Sequence, residues 1–76
     1  MEITVPPLGD VEAVTVVRWL KAAGDQVRAG EAVAEVEAAK AVFVVESPAG
    51  GRLTEIRVQA GDTARPGQVL GLMEPG

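Results

Sequence analysis

The chain contains neither cysteine nor histidine. Without cysteine, no disulfide braces it and no thiolate zinc site is possible. Without histidine, it lacks the commonest metal ligand and the commonest general base. Tyrosine is also missing, and the aromatic content is one Trp and one Phe. Seven basic residues face eleven acidic ones, a net charge of −4. Phosphate recognition needs a basic face, so nucleic acid is not an expected partner. No run approaches the roughly 18 apolar residues of a membrane span. The opening Met1-Glu2-Ile3-Thr4-Val5 lacks the basic flank of a targeting segment. These absences predict a soluble domain of a reducing compartment with no membrane partner.

Catalytic constellations are equally scarce. The sequence offers no Ser/His or Cys/His pair, no glycine-rich phosphate loop and no cluster of metal-ligand residues. Its carboxylates are scattered. No active site and no metal site are therefore expected within these residues.

What the chain has is valine, alanine and glycine at 76 residues, with an apolar fraction of 47%. That length suits one domain, taken as residues 1–76. A domain this small buries only about 60% of the surface its unfolded chain exposes. Strand-forming residues come in short runs at Ile3–Val5, Val14–Leu20, Val33–Glu37, Val42–Ser47, Leu53–Val58 and Val69–Glu74. Their lengths suit strands, and the intervening Gly, Pro and Asp residues suit turns. The alanine-rich stretch from Ala32 to Lys40 invites a helix, but Val33, Val36 and the preceding Gly30 argue for a strand.

An internal repeat organises these runs. Ala23-Gly24-Asp25 recurs as Ala60-Gly61-Asp62, an offset of 37 residues. The same offset carries Val16 onto Leu53, Trp19 onto Ile56, Gly30 onto Gly67, Val33 onto Leu70, Val36 onto Met73 and Glu37 onto Glu74. Two copies are too few for a solenoid. Related by a pseudo-twofold axis, they predict an all-β fold closed as a sandwich or flattened β-barrel. Val16, Trp19, Val36, Phe43, Val45, Leu53, Ile56 and Leu70 are its expected core.

The halves differ at their ends. The first continues through Glu37-Ala38-Ala39-Lys40-Ala41 into another strand, whereas the second stops at Glu74-Pro75-Gly76. A hairpin at Ala38–Ala41 is therefore expected at the end of the barrel opposite the termini. Only two lysines are present, Lys21 and Lys40, against five arginines. A lysine at a turn is ordinarily just a solvated charge. Lys40 stands out because small neighbours leave its amine open to an enzyme that would acylate it. Two readings of Glu37 stand side by side: an exposed strand-end acid, or an acid that a modifying enzyme reads.

Taken in order, these residues resemble a known family. Gly24-Asp25, Gly30, the Val36-Glu37 strand end, Lys40, the turn Ser47-Pro48-Ala49-Gly50, and the second Gly61-Asp62 and Gly67 are similar to the lipoyl domains of 2-oxo acid dehydrogenase complexes. The likeness runs from Ile3-Thr4-Val5-Pro6 to Gly67-Gln68-Val69-Leu70. It implies two four-stranded sheets and lipoic acid joined by an amide to Lys40. It also implies a carrier without its own active site, inside a longer dihydrolipoyl acyltransferase. The swinging arm would take an acyl group from a thiamine-dependent 2-oxo acid decarboxylase and pass it to the acyltransferase core. A dihydrolipoyl dehydrogenase would then reoxidise it. The cofactor does the chemistry while tethering supplies effective concentration.

Lipoate ligase or lipoyl transferase would install the group. The setting implied is cytoplasmic, or the mitochondrial matrix in a eukaryote, and the isolated domain is expected to be a monomer. Glu37, Ala39 and Ala41 flank the acceptor as recognition residues. Asp10 and Glu12, in the loop Leu8–Ala13, are assigned to partner recognition as well. The family usually has Asp where this chain has Ala39, and often an acid where it has Val44. The alternatives are a biotin carrier domain, which usually flanks its lysine with methionines, and an unmodified barrel-sandwich adaptor.

Overall fold

The computed structural model describes residues 1–9 and 11–76. Eight strands follow one another: β1 (Glu2–Thr4), β2 (Val14–Trp19), β3 (Gln26–Val27), β4 (Ala32–Ala38), β5 (Ala41–Glu46), β6 (Gly51–Ile56), β7 (Thr63–Ala64) and β8 (Val69–Pro75). They form two four-stranded antiparallel sheets, ordered β1-β8-β6-β3 and β5-β4-β2-β7. The all-β expectation holds, and the alanine-rich stretch is strand β4. The six strands expected from apolar runs are present. β3 and β7 are additional, two residues each, and each contributes one buried side chain, Val27 or Ala64.

The 37-residue offset is a structural symmetry. It maps β2 onto β6, β3 onto β7 and β4 onto β8. The hydrogen bonds joining the halves obey it too. Gly24 N–H donates to Leu53 O and Leu53 N–H to Asp25 O; in return, Gly61 N–H donates to Val16 O and Val16 N–H to Asp62 O. Each half thus supplies the turn that closes the other's strand. The glycines are required there: Gly24 and Gly61 have φ of +99° and +94°, a region that L side chains rarely adopt. Asp25 also caps its turn, its carboxylate accepting from Ala22 N–H at 2.8 Å.

Alternation along the strands sends one set of side chains into a shared core. Val16, Val36, Val45, Leu53 and Leu70 are buried there as expected. Ile3, Val5, Val14 and Val33 are buried with them, beyond the expected set. Each such side chain contributes roughly 1.5–3 kcal/mol. Trp19, Phe43 and Ile56 are half-buried and pack against the core from its margin. Trp19 closes a strand end, where its indole N–H donates to Val58 O at 2.8 Å.

The connections give the domain two unlike ends. β4 runs to the β4–β5 hairpin, where Ala38 pairs with Ala41. From there β5 runs back to Glu46, opposite Ala32. The chain then crosses to Gly51, which pairs with Pro75, while Gly76 N–H donates to Gly50 O. The C-terminus therefore lies at the end away from the hairpin, along a body 34 Å in its longest dimension.

Candidate functional site

Strands β4 and β5 are joined by only two residues, Ala39 and Lys40. A two-residue hairpin loop matches the right-handed twist of its strands when both central residues have positive φ. Ala39 has φ 50° and Lys40 has φ 68°, and they are the only non-glycine residues with positive φ among those described. Such turns favour Asn-Gly or Gly-Gly, because an ordinary L residue in this region costs roughly 1–2 kcal/mol. Here the chain accepts that cost twice in succession, at the residue carrying the amine and at the one before it. Strain of this kind persists where the surroundings over-determine it, and it concentrates at functional positions.

The surroundings do so. Ala38 is buried, and cross-strand pairs continue beneath it as Glu37 with Val42, Val36 with Phe43 and Glu35 with Val44. Ala39, Lys40 and Ala41 are exposed above this base. None of the ion pairs among the described residues includes Lys40. The hairpin thus offers a primary amine on a rigid stalk with small residues on either side.

Lys21 sits in a different environment. Its Nζ is 3.0 Å from Glu31 Oε2, and it lines a recess with Gln26, Val27, Arg28 and Glu31 beyond the far end of β2. Glu31 is held below the usual carboxylate range, chiefly by the Arg28 backbone N–H and then by the Lys21 hydrogen bond. Lys21 is therefore engaged where Lys40 is presented.

The other singled-out residues distribute around the tip. Glu37 is exposed, one pair below the turn, on the outer face of its sheet. The loop Leu8–Ala13 leads into Val14, and the next residue, Thr15, pairs with Glu37, so the loop enters the sheet at the hairpin's level. Leu8 and Val11 pack against the core, while Glu12 is exposed and lines a shallow recess with Ala13 and Arg65. Asp10 lies outside the described residues. Among the described residues, no group of three His, Cys, Asp or Glu could hold a metal ion, and no helix is long and apolar enough to cross a membrane.

A feature absent from the sequence reading is the bulge in β2. Val16 pairs with Val36 and Arg18 with Glu35, so Val17 and Arg18 both face outward opposite one residue. Arg18 Nε then reaches Glu35 Oε1 at 2.6 Å. Two consecutive outward side chains break the period-2 pattern and leave no local signal of their own.

Comparison with known proteins agrees with this geometry. Residues 1–73 match the Biotin_lipoyl family, described as biotin-requiring enzyme. The dihydrolipoyllysine-residue acetyltransferase component of the pyruvate dehydrogenase complex of Cupriavidus necator is 39% identical over 97% of this chain and 13% of its own length. The dihydrolipoyllysine-residue succinyltransferase component of the 2-oxoglutarate dehydrogenase complex of Staphylococcus saprophyticus is 37% identical over 99% of this chain and 18% of its own. The chain thus spans less than a fifth of the length of these curated relatives. The solution structure of the lipoyl domain of the 2-oxoglutarate dehydrogenase complex from Azotobacter vinelandii superposes with a TM-score of 0.75 at 31% identity, covering 97% of this chain and 99% of that one. The chain belongs to the Biotin_lipoyl family, as a lipoyl domain of the kind found in dihydrolipoyllysine acyltransferase components.

Proposed function

We propose that residues 1–76 form one carrier domain whose Lys40 is acylated with lipoic acid, serving acyl and electron transfer in a 2-oxo acid dehydrogenase complex. The observation that carries this is the presentation of Lys40: an exposed amine in a left-handed hairpin loop, at the end of the domain away from Gly76. A lipoyl group joined to Nζ by an amide would supply the acyl-accepting and redox chemistry. The domain's own residues hold the attachment point still, keep it clear of the barrel, and leave it reachable between two alanines.

The family and relatives support a longer parent, in which this domain is tethered to an acyltransferase core. A decarboxylase component and a dihydrolipoyl dehydrogenase would complete the complex. Lipoate ligase or lipoyl transferase would modify Lys40, and Glu37, Ala39, Ala41, Asp10 and Glu12 would form the surface that these enzymes read. The bacterial relatives support a cytoplasmic setting. The domain carries no catalysis of its own on this reading, and tethering sets the rate at which the arm meets each active site.

Intact-mass measurement after co-expression with a lipoate ligase, and separately with a biotin ligase, tests the proposal. One lipoyl addition and no biotin is the expected result. Biotin addition would assign a carboxylase carrier instead, and no addition with either active ligase would favour an unmodified adaptor.

A further inference from the structure

Strand β5 is an open edge of its sheet. It pairs with β4 alone, and among the described residues no other backbone hydrogen bond involves residues 41–46. In a two-residue hairpin the residues flanking the loop exchange both bonds, and bonded and non-bonded pairs then alternate. Ala38 with Ala41 and Val36 with Phe43 are therefore the bonded pairs, whereas Val42 and Val44 turn their N–H and C=O groups to the open edge. Their side chains are bare as well, Val42 56% and Val44 48% exposed. Proteins ordinarily blunt such an edge with charge or proline. Ala41–Val45 carries neither.

Opposite charges bracket this stretch. Lys40 precedes it and Glu46 ends it; both are exposed, and none of the ion pairs among the described residues includes either. Lys40-Ala41-Val42-Phe43-Val44-Val45-Glu46 is thus complementary to its own reverse. Laid antiparallel on a second copy, about a twofold axis through Phe43, β5 sets Val42 against Val44 of that copy. The four open N–H groups at these positions then meet the four open C=O groups. Lys40 falls level with Glu46 of the second copy, and the symmetry repeats that pair. Phe43, half-buried at the margin of the core, meets its own counterpart at the axis. Sliding the register by two residues sets Lys40 or Glu46 against a valine instead, so the charges select one alignment.

We propose that the unmodified chain pairs with a second copy of itself along β5, and that acylation of Lys40 releases it. The match between the two ends of one strand singles out that strand as its own partner. The pairing stands on the edge alone, and the release rests on the carrier reading above. In the acylation, Nζ attacks a lipoyl carboxyl activated as a mixed anhydride with a phosphate. The N–C bond forms, the bond from the acyl carbon to the phosphate oxygen breaks, and two protons leave Nζ. The cation is gone, and both intermolecular ion pairs go with it. One strand pair is a small interface, so the dimer is weak and transient. It replaces the monomer expected from the resemblance and keeps the apolar edge from water until the arm is installed.

Sedimentation velocity and ¹H–¹⁵N NMR of the unmodified chain, up to about 1 mM, test the pairing. A monomer–dimer equilibrium is expected, with shifts centred on residues 41–46 and weakening at high salt. Lys40→Glu and Glu46→Lys should each raise the dissociation constant roughly tenfold, because two cross-strand pairs turn from attractive to repulsive. The double variant Lys40→Glu/Glu46→Lys should return to within about threefold of wild type, a rescue that loss of folding would not give. Val44→Lys should abolish association and leave the thermal midpoint within a few degrees.

The release is read on the fully lipoylated chain, its loading checked by mass. Its dissociation constant should be about fivefold higher than that of the unmodified chain, and Lys40→Gln, which removes the charge without a ligase, should match it. A monomer throughout the concentration range, shifts centred outside residues 41–46, or a double variant as weak as the single ones overturns the pairing. Equal association of lipoylated and unmodified chains overturns the release. A dimer weakened by Lys40→Gln in a chain that no lipoate ligase modifies upholds the pairing, and the carrier reading then fails together with the release.

Discussion

Replacing Ala39 by glycine should stabilise this domain, and replacing Ala41 by glycine should destabilise it. Both residues are exposed alanines next to Lys40, so the two changes alter composition identically. They differ in backbone. Ala39 has φ 50°, inside the left-handed region. Ala41 opens strand β5 and pairs with Ala38. At Ala39, glycine removes a steric cost of roughly 1–2 kcal/mol. It also gives the unfolded chain extra freedom, a loss of about 0.4–1 kcal/mol. The net expectation is a gain of about 0.5–1 kcal/mol. At Ala41 only the entropic loss applies, about 0.5–1 kcal/mol. In a domain of this size, 1 kcal/mol shifts the melting midpoint by about 4–8 °C. The two variants should therefore bracket the wild type and differ from each other by about that much or more. Thermal unfolding followed by circular dichroism, with urea unfolding followed by Trp19 fluorescence, reads the difference. Equal destabilisation by both would show that the tip is not a left-handed two-residue loop, and the argument for its rigid presentation of Lys40 would fall with it.

Ala39→Asp should also stabilise, since Asp tolerates the left-handed region better than Ala; its lipoylation rate should match or exceed wild type in a ligase assay. Trp19→Phe should cost about 0.5–1.5 kcal/mol for the lost bond to Val58 O, and Trp19→Ala about 3 kcal/mol, the low end for an aromatic at a half-buried margin, both read by urea unfolding. Exchange of the loop Leu8–Ala13 for that of another lipoyl domain, keeping Leu8 and Val11, should leave the melting midpoint within a few degrees and change the rate of reductive acylation; an unchanged rate removes the loop from the recognition surface. Glu31 has a folded pKa below its unfolded value, so its stabilising effect is present above about pH 4.3 and is lost as pH falls through the lower folded value. Glu31→Gln should therefore flatten the acid limb of the stability profile, and an unchanged limb would show that the Arg28 and Lys21 contacts do not persist in solution.

The repeat made the architecture legible. A single offset placed three strands of one half onto three of the other, and the hairpin at Ala38–Ala41 followed from the one place where the halves differ. Strands β3 and β7 were not visible, because two-residue strands have no periodicity. Backbone bonds from the opposite half hold them, and those bonds involve no particular side chain. Ile3 and Val5 were missed as core because so short a run does not show which of its faces is buried until its pairing with β8 is known. Trp19 was placed in the core because the repeat sets it on Ile56, and both pack against the core from its margin; the position of Trp19 at the end of β2, beyond a bulge, leaves it half-buried.

At the site, Lys40 could be singled out from position and neighbours. Its left-handed backbone could not, since neither Ala nor Lys signals positive φ, and only the two-residue connection between paired strands imposes it. The apolar character of Val42 and Val44 was readable, whereas their shared face with Glu37 required the β4–β5 register.

The central claim, that place rather than reactivity selects the acceptor, is tested most directly by moving the lysine. Ala39→Lys combined with Lys40→Ala keeps the composition and shifts the amine by one residue, to the first position of the loop, where its side chain leaves the tip in a different direction. With an active lipoate ligase, tandem mass spectrometry should find lipoyl on Lys40 alone in the wild type. The shifted variant should fold with a normal melting midpoint and remain unmodified. Lipoylation of the displaced lysine at the wild-type rate, or any modification of Lys21, would contradict the account.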